Sequence, residues 1–348
     1  MNNKKILITG GYGFIGSNFI NHMIDTYDAF EITNVDFLGA GSNINNINKP
    51  KNDNQKITNV IHDIFAYPYK LDNEKYDYVI HFAAESHVDR SITTPTPFIE
   101  SNIVGTFNIL EYVKNSGSGR MIMISTDEVY GSMGETEKAT EDFPINPSSV
   151  YSASKAAAEN LCNAYVKTYG LDIITTRCSN NYGPNQFEEK LIPKVVYHIM
   201  EGLPIPVYDE GQQVREWTYV LDHVKDIIIL LEYGITGEVY NIGHGVAMKN
   251  IDLVNLIKSI TLTTMEADTG KAEDNSPIEF LPNARPAHDY RYAISLQKIN
   301  ELKRNNNIII DDYTETLFFP SSDMNNLCLN LAHTIIGIIY RYNDQLKS

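Results

Sequence analysis

Three glycines at positions 10, 13 and 16, placed directly after the apolar run Ile6-Leu7-Ile8, constrain this chain more than any other feature. The run has the length of a buried strand, and residues 14–27 carry a helical spacing of apolar positions. Glycines between the two let the backbone turn tightly and approach a pyrophosphate, whose charge a helix N-terminus stabilises. Asp36 falls twenty residues after Gly16, at the end of a second strand-like stretch. A carboxylate there can accept bonds from a ribose diol and would repel a ribose phosphate, so the cofactor reading is NAD rather than NADP. Asp63 ends a third strand-like stretch and is placed to reach the adenine.

Strand-like and helix-like segments alternate through the first half, the pattern of parallel βαβ units. Strands are predicted over 5–9, 31–35, 56–62, 78–82, 120–125 and 172–177, with helices over 14–27, 98–115 and 151–169. The Asn- and Gly-rich stretch 39–55 reads as a surface loop. Beyond residue 180 turn signals become denser, and helices are predicted over 219–233 and 250–261. The expected fold class is α/β: a Rossmann-type doubly wound parallel sheet with a smaller mixed α/β substrate-binding lobe. Residues 1–180 would form the NAD-binding domain, with segments near 217–242 returning to it, and 181–348 the discontinuous second lobe.

A formal net charge of −16 argues against nucleic acid and anionic membrane surfaces as partners. Cys162, Cys178 and Cys328 are odd in number and widely spaced, which fits neither a disulfide framework nor a metal site and suggests a reduced, cytoplasmic setting. The first apolar run is too short for a signal core, and no stretch approaches the ~18 apolar residues of a membrane span.

A second constellation occupies residues 125–155. Ser125-Thr126-Asp127-Glu128 follows the apolar run Met121-Ile122-Met123-Ile124, and Lys155 lies four residues beyond Tyr151, on the same helix face. Positive charge from Lys155 can lower the phenol pKa from its ordinary value of about 10. Such a phenol suits a base that takes a hydroxyl proton as hydride leaves the same carbon. Neighbours along a strand point to opposite faces. Asp127 and Glu128 therefore serve one substrate only where the strand has already turned, and Gly131 allows that turn. Two carboxyls in one pocket are driven to different pKa values, so one can be the acid and the other the base.

On the strings TGGYGFIGSN (9–18), HFAAESHVDRSI (81–92), ISTDEVYG (124–131), YSASKAAAE (151–159), RCSNNYGPNQFEEKLIP (177–193) and VREWTYVLDH (214–223), the chain resembles the extended short-chain dehydrogenase/reductases. Among them it is most similar to the nucleotide-sugar 4,6-dehydratases of the dTDP-glucose type, from residue 6 to about 292. The resemblance implies that Tyr151 takes the proton of the sugar 4-hydroxyl while hydride passes to NAD, with Thr126 and Lys155 orienting the phenol. It implies that Glu128 removes the proton on carbon 5 and Asp127 protonates the departing 6-hydroxyl. Hydride then returns to carbon 6, leaving a 4-keto-6-deoxy sugar.

By the same resemblance the cofactor would meet Gly10, Gly13, Phe14, Ile15 and Gly16, then Asp36, Asp63 and Ile64. Phe82, Ala83, Ala84, Ser101 and Asn181 would complete its site with Tyr151 and Lys155. A nucleotide-diphosphate sugar would meet Ser86, Thr126, Asn180, Lys190, Leu191 and Pro206. Tyr208, Arg215, Asn250, Arg285 and His288 would follow, the two arginines suiting a diphosphate. A homodimer is implied, the helices over 98–115 and 151–169 pairing into a four-helix bundle. The chain departs from the family at Phe37 and Gly39, where Lys and Thr are usual, and at Ser101, where Thr is usual. Beyond residue 298 the likeness fades, and Ile339-Tyr340 stands in place of a Trp-Tyr pair, making Tyr340 the expected base-stacking residue. The same parts fit a UDP-glucose 4,6-dehydratase. A UDP-sugar 4-epimerase or decarboxylase has no use for an acid that expels a 6-hydroxyl, and a non-catalytic NAD-binding regulator needs no complete catalytic set.

Overall fold

In the computed structural model the residues described are 1–66, 71, 74–244, 246–270, 273–282, 289–308 and 320–347. The first half runs β1 (Lys4–Thr9), α1 (Phe14–Thr26), β2 (Phe30–Asp36), β3 (Gln55–Ile61) and β4 (Tyr78–His81). Two short helices, α2 (Val88–Thr93) and α3 (Thr96–Phe98), lead through a π-helical stretch, Ile99–Gly105, into α4 (Thr106–Ser116). Then come β5 (Arg120–Thr126), α5 (Val150–Tyr169) and β6 (Ile173–Cys178). The second half holds β7 (Asn180–Tyr182), α6 (Leu191–Met200), β8 (Ile205–Tyr208), β9 (Val214–Tyr219) and α7 (Val220–Tyr233). It continues with β10 (Val239–Ile242), β11 (Val246–Lys249), α8 (Asn250–Thr269), β12 (Ile278–Leu281), α9 (Gln297–Asn305) and α10 (Pro320–Lys347).

Seven strands pair in parallel in the order β10-β6-β5-β4-β1-β2-β3, so the order reverses between β1 and β4. Strands of a parallel sheet are covered on both faces, which is why β1 and β5 are nearly continuous apolar runs. Alternation sorts their side chains: Ile6, Ile8, Ile122 and Ile124 pack with Phe19 and Ile20 of α1 and Ile227 of α7. Leu7, Met121 and Met123 face the other way, onto Ile109 and Leu110 of α4 and Ala158 and Cys162 of α5. This is the Rossmann-type α/β architecture. A three-stranded sheet, β11-β9-β7, and the parallel pair β12-β8 lie outside it. Around them Val195, Val196, Leu253, Ile257, Leu331 and Ile335 join α6, α8 and α10 in a separate core.

Local signals set the element ends. α5 opens with a capping box, the Ser149 side chain accepting the Ser152 N–H while the Ser152 side chain reaches back to the N-cap backbone, and stops at Gly170 in the left-handed conformation. Three expectations need correction. The helix expected over 98–115 is not one α-helix, because Ile99–Gly105 widens to π geometry. The helix beginning at residue 250 continues to Thr269, where Gly270 stops it. Ile339 is buried in the α6–α8–α10 core, and the adjoining Tyr340 is turned to solvent at 60% exposure rather than toward the site. Among the described residues no helix is long and apolar enough to cross a membrane.

Candidate active site

Where the strand order reverses, the carboxyl end of the large sheet opens on a cavity of about 430 Å³. One end is built on the glycine turn. Gly10 has φ +75°, and a β-carbon there would come within 2.6 Å of the Ala83 backbone nitrogen. A β-carbon at Gly16 would fall 2.3 Å from the Gly10 carbonyl oxygen. Gly13 differs: the nearest atom would be 3.2 Å away, and this residue N-caps α1 with no side chain over the helix end. Phe14 and Ile15 line the cavity beside that bare helix start, which suits an anion such as a pyrophosphate.

Asp36 is buried at the end of β2, its Oδ1 accepting the Leu38 N–H at 2.8 Å and its Oδ2 the Tyr12 N–H at 3.0 Å. Burial raises its pKa, and these hydrogen bonds oppose the rise. Beyond it the wall is formed by Phe37, His62 and Ile64. Asp63 is not part of that wall; its Oδ1 accepts the Phe65 N–H at 2.9 Å and closes a local turn. Phe82, Ala83, Ala84, Ser101 and Asn181 all line the cavity, with Asn181 Oδ1 held 3.0 Å from His223 Nδ1. The glycine cradle, the bare helix start and the rigid acid together fit a dinucleotide.

The groups expected to react stand at the end of β5. After Thr126 the chain leaves extended geometry for a 3₁₀ turn, Asp127–Tyr130, which Thr126 caps by accepting the Glu128 N–H at 3.3 Å. Gly131 ends the turn at φ +73°, where a β-carbon would fall 2.3 Å from the Asn146 carbonyl oxygen. This turn lets both Asp127 and Glu128 line the same cavity. Asp127 is 2% exposed, and its Oδ2 has no hydrogen-bond partner. Its pKa lies well above the usual carboxylate range, first through burial, then through the charges of Glu128 and Glu216, with Arg215 opposing. Burial and its acidic neighbours therefore favour the neutral carboxylic acid form of Asp127 over its anion.

Tyr151 and Lys155 line the cavity from the first turns of α5. Tyr151 is buried edge-on to Phe98, with the Thr126 side chain acting to lower its pKa. The expectation that Lys155 lowers the phenol pKa is not met by this arrangement. Burial raises the phenol well above its ordinary value, the Glu128 charge adds to the rise, and Lys155 Nζ donates to the Ile124 carbonyl at 2.6 Å. Burial also pushes the Lys155 ammonium down to about 8, still charged at neutral pH.

Ser86, Asn180, Lys190, Leu191, Arg215 and Asn250 line the remaining wall. Lys190 Nζ donates to the Ser86 carbonyl at 3.1 Å. Arg215 lies 4.2 Å over the Tyr292 ring and donates to the carbonyls of Val214, Tyr290 and Asp289. Pro206 and Tyr208 are not in this wall, since β8 pairs with β12 and turns Val207 into the second core. Arg285 and His288 lie outside the described residues. Trp217, Asp289 and Tyr292 line the cavity without having been expected. Trp217 is two residues from Arg215 on β9, so strand alternation carried the signal. Asp289 and Tyr292 come from an irregular segment with no such periodicity. Buried polar atoms without a partner collect here: Asp127 Oδ2, Asn180 Oδ1, Asn250 Oδ1 and Trp217 Nε1. Native interiors rarely leave such atoms unpaired, so their convergence marks a site for a polar ligand.

The sequence matches the family described as GDP-mannose 4,6 dehydratase over residues 7–312. It is 41% identical over 306 residues to the dTDP-glucose 4,6-dehydratase of Xanthomonas campestris pv. campestris, covering 85% of this chain and 86% of that protein. The crystal structure of dTDP-glucose 4,6-dehydratase from Bacillus anthracis in complex with NAD is similar at TM-score 0.79 and 35% identity, covering 98% of both chains. A UDP-N-acetylglucosamine 4-epimerase from Methanobrevibacter ruminantium reaches TM-score 0.81 at 26% identity, covering 98% of this chain and 100% of that one. The backbone is thus common to different nucleotide-sugar reactions, whereas residue identity is higher toward the dehydratases. This chain belongs to the GDP-mannose 4,6 dehydratase family, and within it to the dTDP-glucose 4,6-dehydratases of the extended short-chain dehydrogenase/reductase fold.

Proposed function

We propose that this protein dehydrates dTDP-glucose to dTDP-4-keto-6-deoxyglucose, with NAD as its resident cofactor. The observation that carries the reading is the acid pair: Asp127, buried with an unpartnered Oδ2, beside Glu128, on one turn, in the cavity that also holds Tyr151. A 4-epimerase would gain nothing from a neutral carboxylic acid at that position. Oxidised NAD, when bound, supplies positive charge and reversible two-electron chemistry, so carbon 4 is oxidised first and carbon 6 reduced last.

Tyr151 accepts the 4-hydroxyl proton, its oxygen oriented by the Thr126 hydroxyl. Lys155, one helical turn on, is charged at neutral pH, and oxidised nicotinamide, when bound, would add the further positive charge that the phenolate requires. The ketone at carbon 4 acidifies the neighbouring carbon, and Glu128 removes the carbon-5 proton. Asp127 gives its proton to the departing 6-hydroxyl, which leaves as water. Glu128 then returns its proton to carbon 5 as carbon 6 is reduced. The proton that Tyr151 took makes good the one that Asp127 gave, so the sum is loss of one water.

On this reading residues 1–180 hold the cofactor. The later residues, apart from 220–242, which return through α7 and β10 to the large sheet, hold the sugar nucleotide, and Arg215 serves its diphosphate. A homodimer through the layer of Ile99–Gly105, α4 and α5 is supported by Ile99 and Phe107, large apolar side chains left 43% and 42% exposed. Free Cys162, Cys178 and Cys328 fit a reducing, cytoplasmic setting.

The purified protein should turn dTDP-glucose into a 4-keto product, read by its absorbance in alkali, about tenfold or more faster than UDP-glucose. Faster turnover of UDP-glucose would reverse the nucleotide assignment. Epimerisation without water loss would overturn the dehydration itself.

A further inference from the structure

Phe37 is a large aromatic residue left 48% exposed on the wall of the cavity, next to the buried carboxylate of Asp36. Its place is fixed from both sides. Asp36 Oδ1 accepts the N–H of Leu38, and Leu38 itself has φ +60°, so the chain bends sharply around Phe37. Gly39 then lies under the ring: a β-carbon there would come within 2.2 Å of Phe37 Cζ and within 2.7 and 2.9 Å of its two Cε atoms. Gly39 is not among the residues of positive φ, so its backbone does not call for glycine. What calls for glycine is the ring resting on it. The loop is pinned again where the Ser42 N–H donates to the Gly39 carbonyl at 3.0 Å.

We propose that Phe37, seated on Gly39, is the aromatic wall against which the adenine of the cofactor packs. The inference rests on the NAD reading of this cavity. A dinucleotide with its pyrophosphate on the Gly13 helix start and its ribose on Asp36 has its base beyond Asp36. From the loops after β2 and β3 the lining there is Phe37, Gly39, Ala40, Gly41, His62 and Ile64, none of them Lys or Arg. A flat aromatic ring over a surface without cations selects a flat, uncharged heterocycle and offers a ribose phosphate no partner.

The chain has a single tryptophan, and Trp217 lines the same cavity, so energy transfer from Trp217 to bound NADH reads binding without turnover. Phe37→Ala should weaken NADH binding about tenfold, a mid-range loss for one base–aromatic stack. Gly39→Ala should weaken it comparably by displacing the ring, and the double variant should bind no worse than Phe37→Ala alone. Reduced nicotinamide mononucleotide, which lacks the adenosine, should bind wild type and Phe37→Ala equally. Unchanged NADH affinity in Phe37→Ala, additive losses in the double variant, or equal weakening of the mononucleotide would each overturn the assignment while leaving the NAD reading standing. Failure of the wild-type protein to bind NADH at all would overturn both.

Discussion

Burial and two neighbouring carboxylates disfavour the charge of Asp127, and this has a thermodynamic sign. In an unfolded chain an aspartate titrates at about 3.9. Between that value and the raised folded value, the folded state holds a proton that the unfolded state has lost, so stability falls as pH rises through the window. Asp127→Asn keeps the shape and removes the ionisation. Its melting temperature should exceed that of wild type by a margin that widens from pH 4 upward, while water loss slows by roughly a hundred- to ten-thousand-fold. Glu128→Gln should still allow oxidation of carbon 4, seen as reduced-nicotinamide absorbance, and block elimination. An unchanged stability margin across pH, or loss of the first oxidation with elimination spared, would contradict these roles. The sequence placed the two acids side by side but could not show that they share a pocket, since a continued strand would have separated them. The Thr126 cap and the turn to Gly131 decide that. Lys155 was legible from its spacing to Tyr151. Its bond to the Ile124 carbonyl was not, because a flexible four-carbon side chain leaves no trace of its partner in sequence.

At the scale of elements, the π-helical stretch Ile99–Gly105 has a structural product in Asn102. Asn102 Oδ1 accepts the Glu85 N–H at 2.8 Å, and its Nδ2 donates to the Glu85 carbonyl and to Ser154 Oγ, both at 2.9 Å. One side chain thus ties the loop after β4 to α5, two walls of the cavity. Asn102→Ala would leave the Glu85 N–H and carbonyl without these bonds and should lower unfolding free energy by about 2–4 kcal/mol, read from a urea midpoint. A loss below about 0.5 kcal/mol would remove the tie from the account. Within seven residues an α period and a π period differ too little for the apolar spacing to distinguish them, so sequence reading made this one helix. The strands and α5 were easier, because buried parallel strands read as apolar runs and α5 carries its own cap and stop. The pairing of β8 with β12 joins segments far apart in sequence, and no local pattern announces it.

For the whole molecule, acid sensitivity should come from two histidines kept neutral. Burial brings His81 and His223 each down to about 3, His81 also feeling the charge of Lys155. Thr106 donates to the Asn102 carbonyl, so His81 Nε2 donates to Thr106 and Nδ1 accepts from Thr9, a chain that needs the neutral ring. Below about 6.5 the unfolded chain takes up protons that these folded rings refuse, so stability falls as pH falls from there toward 3, by about 1.4 kcal/mol per pH unit for each histidine. His223→Gln should reduce the slope of unfolding free energy against pH between 6 and 4 by one such increment; an unchanged slope would show that His223 is not held neutral.

The parallel order of the large sheet has a further consequence for synthesis. Its outermost strand, Val239–Ile242, pairs with β6 only after β7, β8, β9 and the helices between them have been made. Until that segment clears the ribosome, the nascent protein carries a fully buried-type strand, Ile173–Cys178, with one edge unmatched and ready to accept a stranger. Its most hazardous interval therefore falls midway through translation, after the nucleotide cradle has formed and before the sheet can close its own border.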